Sequence, residues 1–253
     1  MVRILKTVIF ITFISVNLYS QVPNYYCPML NHESGYCIFH FDGNATDVKG
    51  VYDMTAYGMV STSTVSGKFG SCYNYDGTNC YLEKAPITAI GGQATLMMSC
   101  WVYNHATSHD PDYFLSVGDY NIGWDQHYFA FRDYDGTDNQ LVATFRASRT
   151  SAPQYGYTAY TTAAVSKDAW HWVVAITTGL GTNINIYVDG ERPAQTFLNN
   201  DGGNIKALNA AIRTSGGYNL AGYLFNGLVD DVFITDTAWS ANQIKEYYLR
   251  NPR

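Results

Sequence analysis

Five Asp-Gly pairs punctuate this chain, at Asp42-Gly43, Asp76-Gly77, Asp135-Gly136, Asp189-Gly190 and Asp201-Gly202. Both residue types tolerate positive φ, so such a pair between alternating apolar segments predicts a tight hairpin. The segments between the pairs do alternate. In residues 170–178, Trp172, Val174 and Ile176 share one face. In residues 183–188, Ile184, Ile186 and Val188 face in, while Asn183, Asn185 and Tyr187 face out. In residues 96–102, Leu96, Met98, Cys100 and Val102 share a side. Many short strands joined by turns predict an all-β sandwich or barrel. The composition agrees: 22 tyrosines, 22 glycines and 15% aromatic residues favour strands and turns, and only 14% charged residues excludes a disordered bulk. At 253 residues the chain suits one all-β domain with a sizeable core. One helix is predicted. Ser240-Ala-Asn-Gln243 has the capping-box form, Ile244, Tyr247 and Tyr248 follow at helical spacing, and Asn251-Pro252 ends the run.

The first twenty residues read as a secretory signal peptide. Arg3 and Lys6 precede an apolar run from Val8 to Ile14, and Ser20 offers a small residue for cleavage. That run is too short to span a bilayer, and no later stretch is longer. Residues 21–35 are irregular, and the domain occupies 36–253. A secreted, extracellular protein is expected. The formal charge of −6 becomes more acidic once Arg3 and Lys6 are removed, which argues against nucleic acid or an anionic membrane as partner. Export favours disulfides among Cys27, Cys37, Cys72, Cys80 and Cys100. Cys27–Cys37 is the simplest pairing. If Tyr75 pairs with Cys80 across the Asp76-Gly77 turn, Cys72 opposes Glu83 and the two sulfurs lie too far apart to bond. Five is odd, so one thiol, one of Cys72, Cys80 and Cys100, is free or joins another chain. Asn44-Ala-Thr46 is a glycosylation sequon in a compartment where it would be read.

Four stretches resemble the laminin-G-like, concanavalin A-like jelly-roll domains. Phe39-His-Phe-Asp-Gly-Asn-Ala-Thr-Asp47 is similar to the opening strand and acidic turn. Ser66-Gly-Lys-Phe-Gly70 with Tyr73-Asn-Tyr-Asp-Gly-Thr-Asn79 is similar to the next hairpin. Trp170-His-Trp-Val-Val-Ala175 with Ile186-Tyr-Val-Asp-Gly190, and Phe225-Asn-Gly-Leu-Val-Asp-Asp-Val-Phe-Ile234 with Trp239-Ser240, resemble the family's two later motifs. The match spans about residues 36–249. It implies a two-sheet antiparallel jelly-roll sandwich, and the short C-terminal helix is expected to pack on the sandwich edge. It specifies the fold far better than any function.

Asp230 shares parity with Leu228, Val232 and Ile234, so it is expected to point to the core side. A buried carboxylate needs donors or a cation. The resemblance implies calcium near one sandwich edge, held by Asp230 with Asp42 and Asp47 of the acidic turn. The alternative is that Asp230 accepts backbone N–H groups and holds no metal. Asp133, Asp135 and Asp138 fit a hairpin tip between Phe131 and Leu141 better than a cation loop. Aromatic loops with interspersed amides and acids form the candidate ligand surface, since sugars stack on rings and give their hydroxyls to Asp, Asn and Gln. Trp124 and Tyr155 lead that set, with Tyr128 and Asp125. No two glutamates lie on one strand in the manner of the glucanases of this fold, and no G-x-S-x-G occurs. A Ser–His–Asp triad is spatial and not legible here; His171 falls in a strand motif where a structural role is expected. The sequence therefore predicts a secreted, non-enzymatic module binding a glycan or matrix glycoprotein. The alternative is a structural matrix or coat component, cross-linked through tyrosines and an unpaired cysteine.

Overall fold

The structure is a computed structural model that describes residues 35–48, 50–58, 65–90, 95–105, 112–118, 126–134, 137–146, 156–178, 184–198, 208–216 and 224–251. The expected signal peptide, Cys27, Trp124, Asp125 and Tyr155 lie outside them. Two antiparallel sheets stack face to face. The first runs in the order β12 (Ile184–Val188), β11 (Trp170–Thr177), β6 (Leu96–Asn104), β15 (Asn226–Thr235), β4 (Ser71–Asp76) and β3 (Val65–Ser66), with β1 (Gly35–Phe39) also on β15. The second runs β13 (Gln195–Leu198), β10 (Gly156–Thr161), β9 (Thr137–Arg146), β8 (Gln126–Tyr134), β7 (Asp112–Gly118), β14 (Leu208–Thr214), β5 (Tyr81–Ile90) and β2 (Thr55–Tyr57). This is the expected two-sheet jelly-roll sandwich.

The inner core follows from the period of two. Leu96, Met98, Cys100 and Val102 of β6 meet Leu115, Val117, Phe129, Phe145 and Ile212 from the other sheet. On β11, Val173 and Ala175 point inward, whereas Trp172, Val174 and Ile176 point to the outer face. That outer face is also closed, so the strand is buried on both sides and reads as an unbroken apolar run. Its cover is α1 (Ala241–Arg250), the only helix among the described residues. The predicted capping box is present: Gln243 N–H donates to Ser240 Oγ and Ser240 N–H donates to Gln243 Oε1. Ile244 and Tyr247 are its buried residues, and the Tyr247 ring lies 4.4 Å from that of Trp172. Tyr187 does face out as predicted, but the helix layer buries it.

Two turn predictions require correction. β8 and β9, on either side of Asp135-Gly136, are paired with Phe131 opposite Leu141, and the dipeptide itself lies outside the described residues. The Asp76-Gly77 pair joins β4 to β5, which belong to different sheets. Asp76 accepts the Thr78 and Asn79 amides and swings the chain across the sandwich. Cys72 therefore lies opposite Val65 of β3, not opposite Glu83. Asp189-Gly190 likewise passes the chain from β12 to β13 in the other sheet. A turn dipeptide fixes a reversal. It does not fix which strand comes next to which.

Candidate functional site

Asp230 is fully buried, but not between the sheets. Val229 and Val232 both belong to the inner core, although they are three residues apart. The pairing of β15 with β6 slips between Asp230 and Phe233, and Asp231 there has φ 45°. A bulge of this kind adds a residue and reverses the parity beyond it. Asp230 consequently stands opposite Trp101, on the outer face with Phe233's neighbours. The 67–70 loop lies over it: a Cβ on Gly67 would sit 2.7 Å from Asp230 Oδ2. Phe69 N–H donates to Oδ2 at 3.0 Å and Asp231 N–H donates to Oδ1 at 2.9 Å. Burial, and then the neighbouring charge of Asp231, push the Asp230 carboxyl well above the ordinary range. His40 Nδ1–H donates to Asp231 Oδ1 at 2.5 Å, a bond that raises the imidazole above its ordinary value against the opposing effect of burial. Burial, and then Asp230, push the Cys72 thiol up to about 12, which keeps it in the thiol form near neutral pH.

Asp42 accepts Ser71 N–H at 3.1 Å on the rim of this cluster. Asp47 is employed elsewhere, accepting Ile38 N–H at 2.9 Å and Val51 N–H at 3.3 Å. The carboxylates of Asp42, Asp47 and Asp230 thus each accept backbone N–H groups. Among the described residues, no three His, Cys, Asp or Glu side chains are grouped to hold a metal ion. Asp42, Asp47 and Asp230 therefore do not form one such group. His40 and Asp231 escaped sequence reasoning, because 191 residues separate them and only the β1–β15 pairing joins them. Asn44 of the sequon is exposed.

A second polar chain links Ser166, His171 and Asp189. His171 Nδ1–H donates to Asp189 Oδ2 at 2.7 Å, and Nε2 then accepts from Ser166 Oγ at 2.7 Å. Asp189 also accepts Trp172 N–H at 3.0 Å. The order is that of a nucleophile, a base and an orienting acid. The same bonds pin the exposed 162–169 loop to the turn that leaves β12, where Asp189 and Gly190 take positive φ of 52° and 81°.

The outer face of the eight-stranded sheet carries the remaining candidates. One cross-strand row reads Thr55, Glu83, Arg213, Ser116, Tyr128, Thr144 and Thr158. Tyr128 is half-buried, with its ring edge-on to Tyr113 at 4.6 Å. Ser116 and Thr144 are buried, so the middle of the row is closed. The row opens at its β2 end. There the Tyr57 and Tyr81 rings stack at 4.8 Å and 9°, Arg213 stands 5.0 Å over Tyr81, and Glu83 holds Arg213. No local signal marks these residues in the sequence. Tyr57, Tyr81 and Arg213 meet only because β2, β5 and β14 are neighbours.

Residues 76–245 match the family model described as the concanavalin A-like lectin/glucanases superfamily, of laminin-G type. The chain belongs to that family. Its fold is similar to domain 4 of AbnA, a GH43 extracellular arabinanase from Geobacillus stearothermophilus, in complex with arabinotriose. Identity is 16%, with 85% of this chain and 98% of that one covered, and the TM-score is 0.60. It is also similar to the binding domain of botulinum neurotoxin DC in complex with rat synaptotagmin II, at 16% identity, 87% and 52% coverage and a TM-score of 0.64. A structure of botulinum neurotoxin type C, whose cell entry depends on two ganglioside molecules, aligns at 12% identity, 87% and 52% coverage and a TM-score of 0.60. The chain spans about half the length of those neurotoxin domains. No curated protein matches the sequence. No helix among the described residues is long and apolar enough to cross a membrane.

Proposed function

We propose that this chain is an extracellular, non-enzymatic glycan-binding module. The observation that carries the reading is the open end of the outer sheet face, where the Tyr57–Tyr81 stack stands beside Arg213 and Glu83. Aromatic planes take the C–H face of a sugar, and charged or amide groups beside them take its hydroxyls. The family and two of the similar structures, one holding arabinotriose and one concerned with gangliosides, support the same class of ligand. The fold alone does not settle it, since one sandwich hosts many functions. A glycan array probed with the secreted chain, with and without calcium, tests the reading. Binding above background supports it, and no binding in either condition overturns it.

One observation favours a hydrolytic reading, namely the Ser166–His171–Asp189 chain. A fluorophosphonate probe, which phosphonylates activated serines as the Oγ displaces fluoride from phosphorus, separates the two. Unlabelled Ser166 is the expected result, because both hydrogen bonds are accounted for as a brace of the 162–169 loop. Labelling at Ser166 would overturn the non-enzymatic part of the proposal.

A further inference from the structure

Tyr57 is 41% exposed although its ring is stacked on one side. Tyr57 and Tyr81 are direct cross-strand partners on the outer face, and Arg213 covers the other side of Tyr81. The ring normals therefore run across the strands, along the direction β14, β5, β2. β2 is the last strand of this sheet. The second face of Tyr57 consequently points past the sheet edge, with no described strand beyond it. Resting on the glycan-binding reading above, we propose that this face is a stacking subsite for one ring of an uncharged sugar, with Asn79 and Thr55 at its rim.

Three features suit it to that ligand. The first is preorganisation. Glu83 fixes Arg213, Arg213 fixes Tyr81, and Tyr81 fixes Tyr57, so little rotamer freedom is left to lose on binding. The second is the rim. Gly58, at φ 72°, lets the 76–80 turn approach so closely that a Cβ there would sit 2.1 Å from the Asn79 carbonyl oxygen. That approach puts exposed Asn79 beside Gly58, the residue after Tyr57; its Oδ1 accepts from Cys80 Sγ at 3.4 Å, and its NH2 group is a donor. Exposed Thr55 lies on the same face two residues along β2. The third is charge. Arg213 is paired with Glu83 and the chain as a whole carries −6, a balance that disfavours an anionic glycan.

The test is titration calorimetry with two probes: arabinotriose as the neutral sugar, and a sialylated ganglioside oligosaccharide as the anionic one. Arabinotriose is expected to bind the wild-type chain. Tyr57→Ala should weaken it at least tenfold, Tyr57→Phe should stay within threefold because the ring face is kept, and Asn79→Ala should lie between them. Circular dichroism confirms that each variant is folded. Arabinotriose binding that Tyr57→Ala leaves unchanged overturns the subsite and leaves the glycan-binding reading standing. Preference for the ganglioside oligosaccharide overturns the uncharged-ligand inference. Binding of neither probe, together with an empty glycan array, overturns both readings.

Discussion

The two outer faces of the sandwich use aromatic residues in opposite ways. On the seven-stranded sheet, Trp101, Trp172 and Phe233 are covered by α1 and Trp239. Ring lies on ring there: Trp172 against Tyr247, Trp239 against Tyr247 and Phe233 against Trp239. On the eight-stranded sheet, the stack at β2 ends with an uncovered ring. The residue types are alike, so aromatic content alone says nothing about ligands. The decisive difference is whether another element has a ring face left to cover. An amphipathic helix with its own capping box follows β15 and closes the first face, whereas β2 is a short edge strand with nothing described beyond it.

The largest effect is expected on the covered face. Trp172 is fully buried, and Trp172→Ala removes its contact with Tyr247 and leaves a cavity beneath the helix. Truncations of this kind cost about 3–5 kcal/mol. Urea unfolding should report that loss, and amide exchange in α1 should rise, because the helix rests on the deleted ring. A cost under about 1 kcal/mol would mean that the helix layer does little to hold the sandwich, and the contrast between the faces would collapse.

Much of this contrast was legible in the sequence, and the reasons for the rest are specific. The helix was legible because its signals are local: Ser240 and Gln243 cap each other, and Ile244 and Tyr247 follow at helical spacing. The strands were legible from their period. The face of Asp230 was not, because one residue at φ 45° reverses the parity of β15, and neither Asp230 nor Asp231 advertises a bulge. The acid–imidazole contact of His40 and the Tyr57–Tyr81–Arg213 stack depend on strand order, which a turn dipeptide does not encode. The ligand residues chosen from loops, Trp124, Asp125 and Tyr155, lie outside the described residues, and Tyr128 is half-buried against Tyr113.

A middle-sized effect concerns the acids beneath and beside these faces. Asp230, under the covered face, has its folded pKa raised by burial and by Asp231, and His40 is raised by its bond to Asp231. A group raised on folding stabilises most below its unfolded value, and the benefit is lost as pH climbs through the folded value. Stability should therefore rise as pH falls from 8 toward 5. Asp76, in its exposed turn, behaves oppositely. Slight burial pushes it up, but hydrogen bonds from the Thr78 backbone and side chain, Cys80 and Asn79 outweigh that and hold it at about 2. Its contribution is present above about 4, the unfolded value, and is lost as pH falls through about 2. A shift of about 1 kcal/mol moves Tm by about 2–4 °C in a domain of this size. Asp230→Asn gives up one acceptor oxygen to the Phe69 or Asp231 amide but removes the buried charge. It should flatten the slope of Tm between pH 5 and 8. Parallel slopes in wild type and variant would show that Asp230 does not titrate with folding.

The smallest effect is expected at the open face, and its smallness is informative. Tyr57→Ala deletes one side of a parallel stack and exposes the Tyr81 face, but the lost ring was already in contact with water over much of its area. An aromatic pair contributes about 0.5–1.5 kcal/mol beyond its area when well packed, and an exposed edge strand recovers only the lower part of that range. Thr55 and Ala56 keep β2 paired with Glu83 and Leu82, so the strand does not depend on the ring. Arg213 retains Glu83 as partner, so no buried charge is orphaned. The unfolding free energy from urea titration should therefore fall by about 0.5 kcal/mol, roughly a tenth of the upper figure for Trp172→Ala. A loss above about 2 kcal/mol would show that Tyr57 holds the sheet edge together as Trp172 holds the helix. In that case the exposed stack would be a packing element like its counterparts on the opposite face, and the reason for assigning it a ligand would disappear.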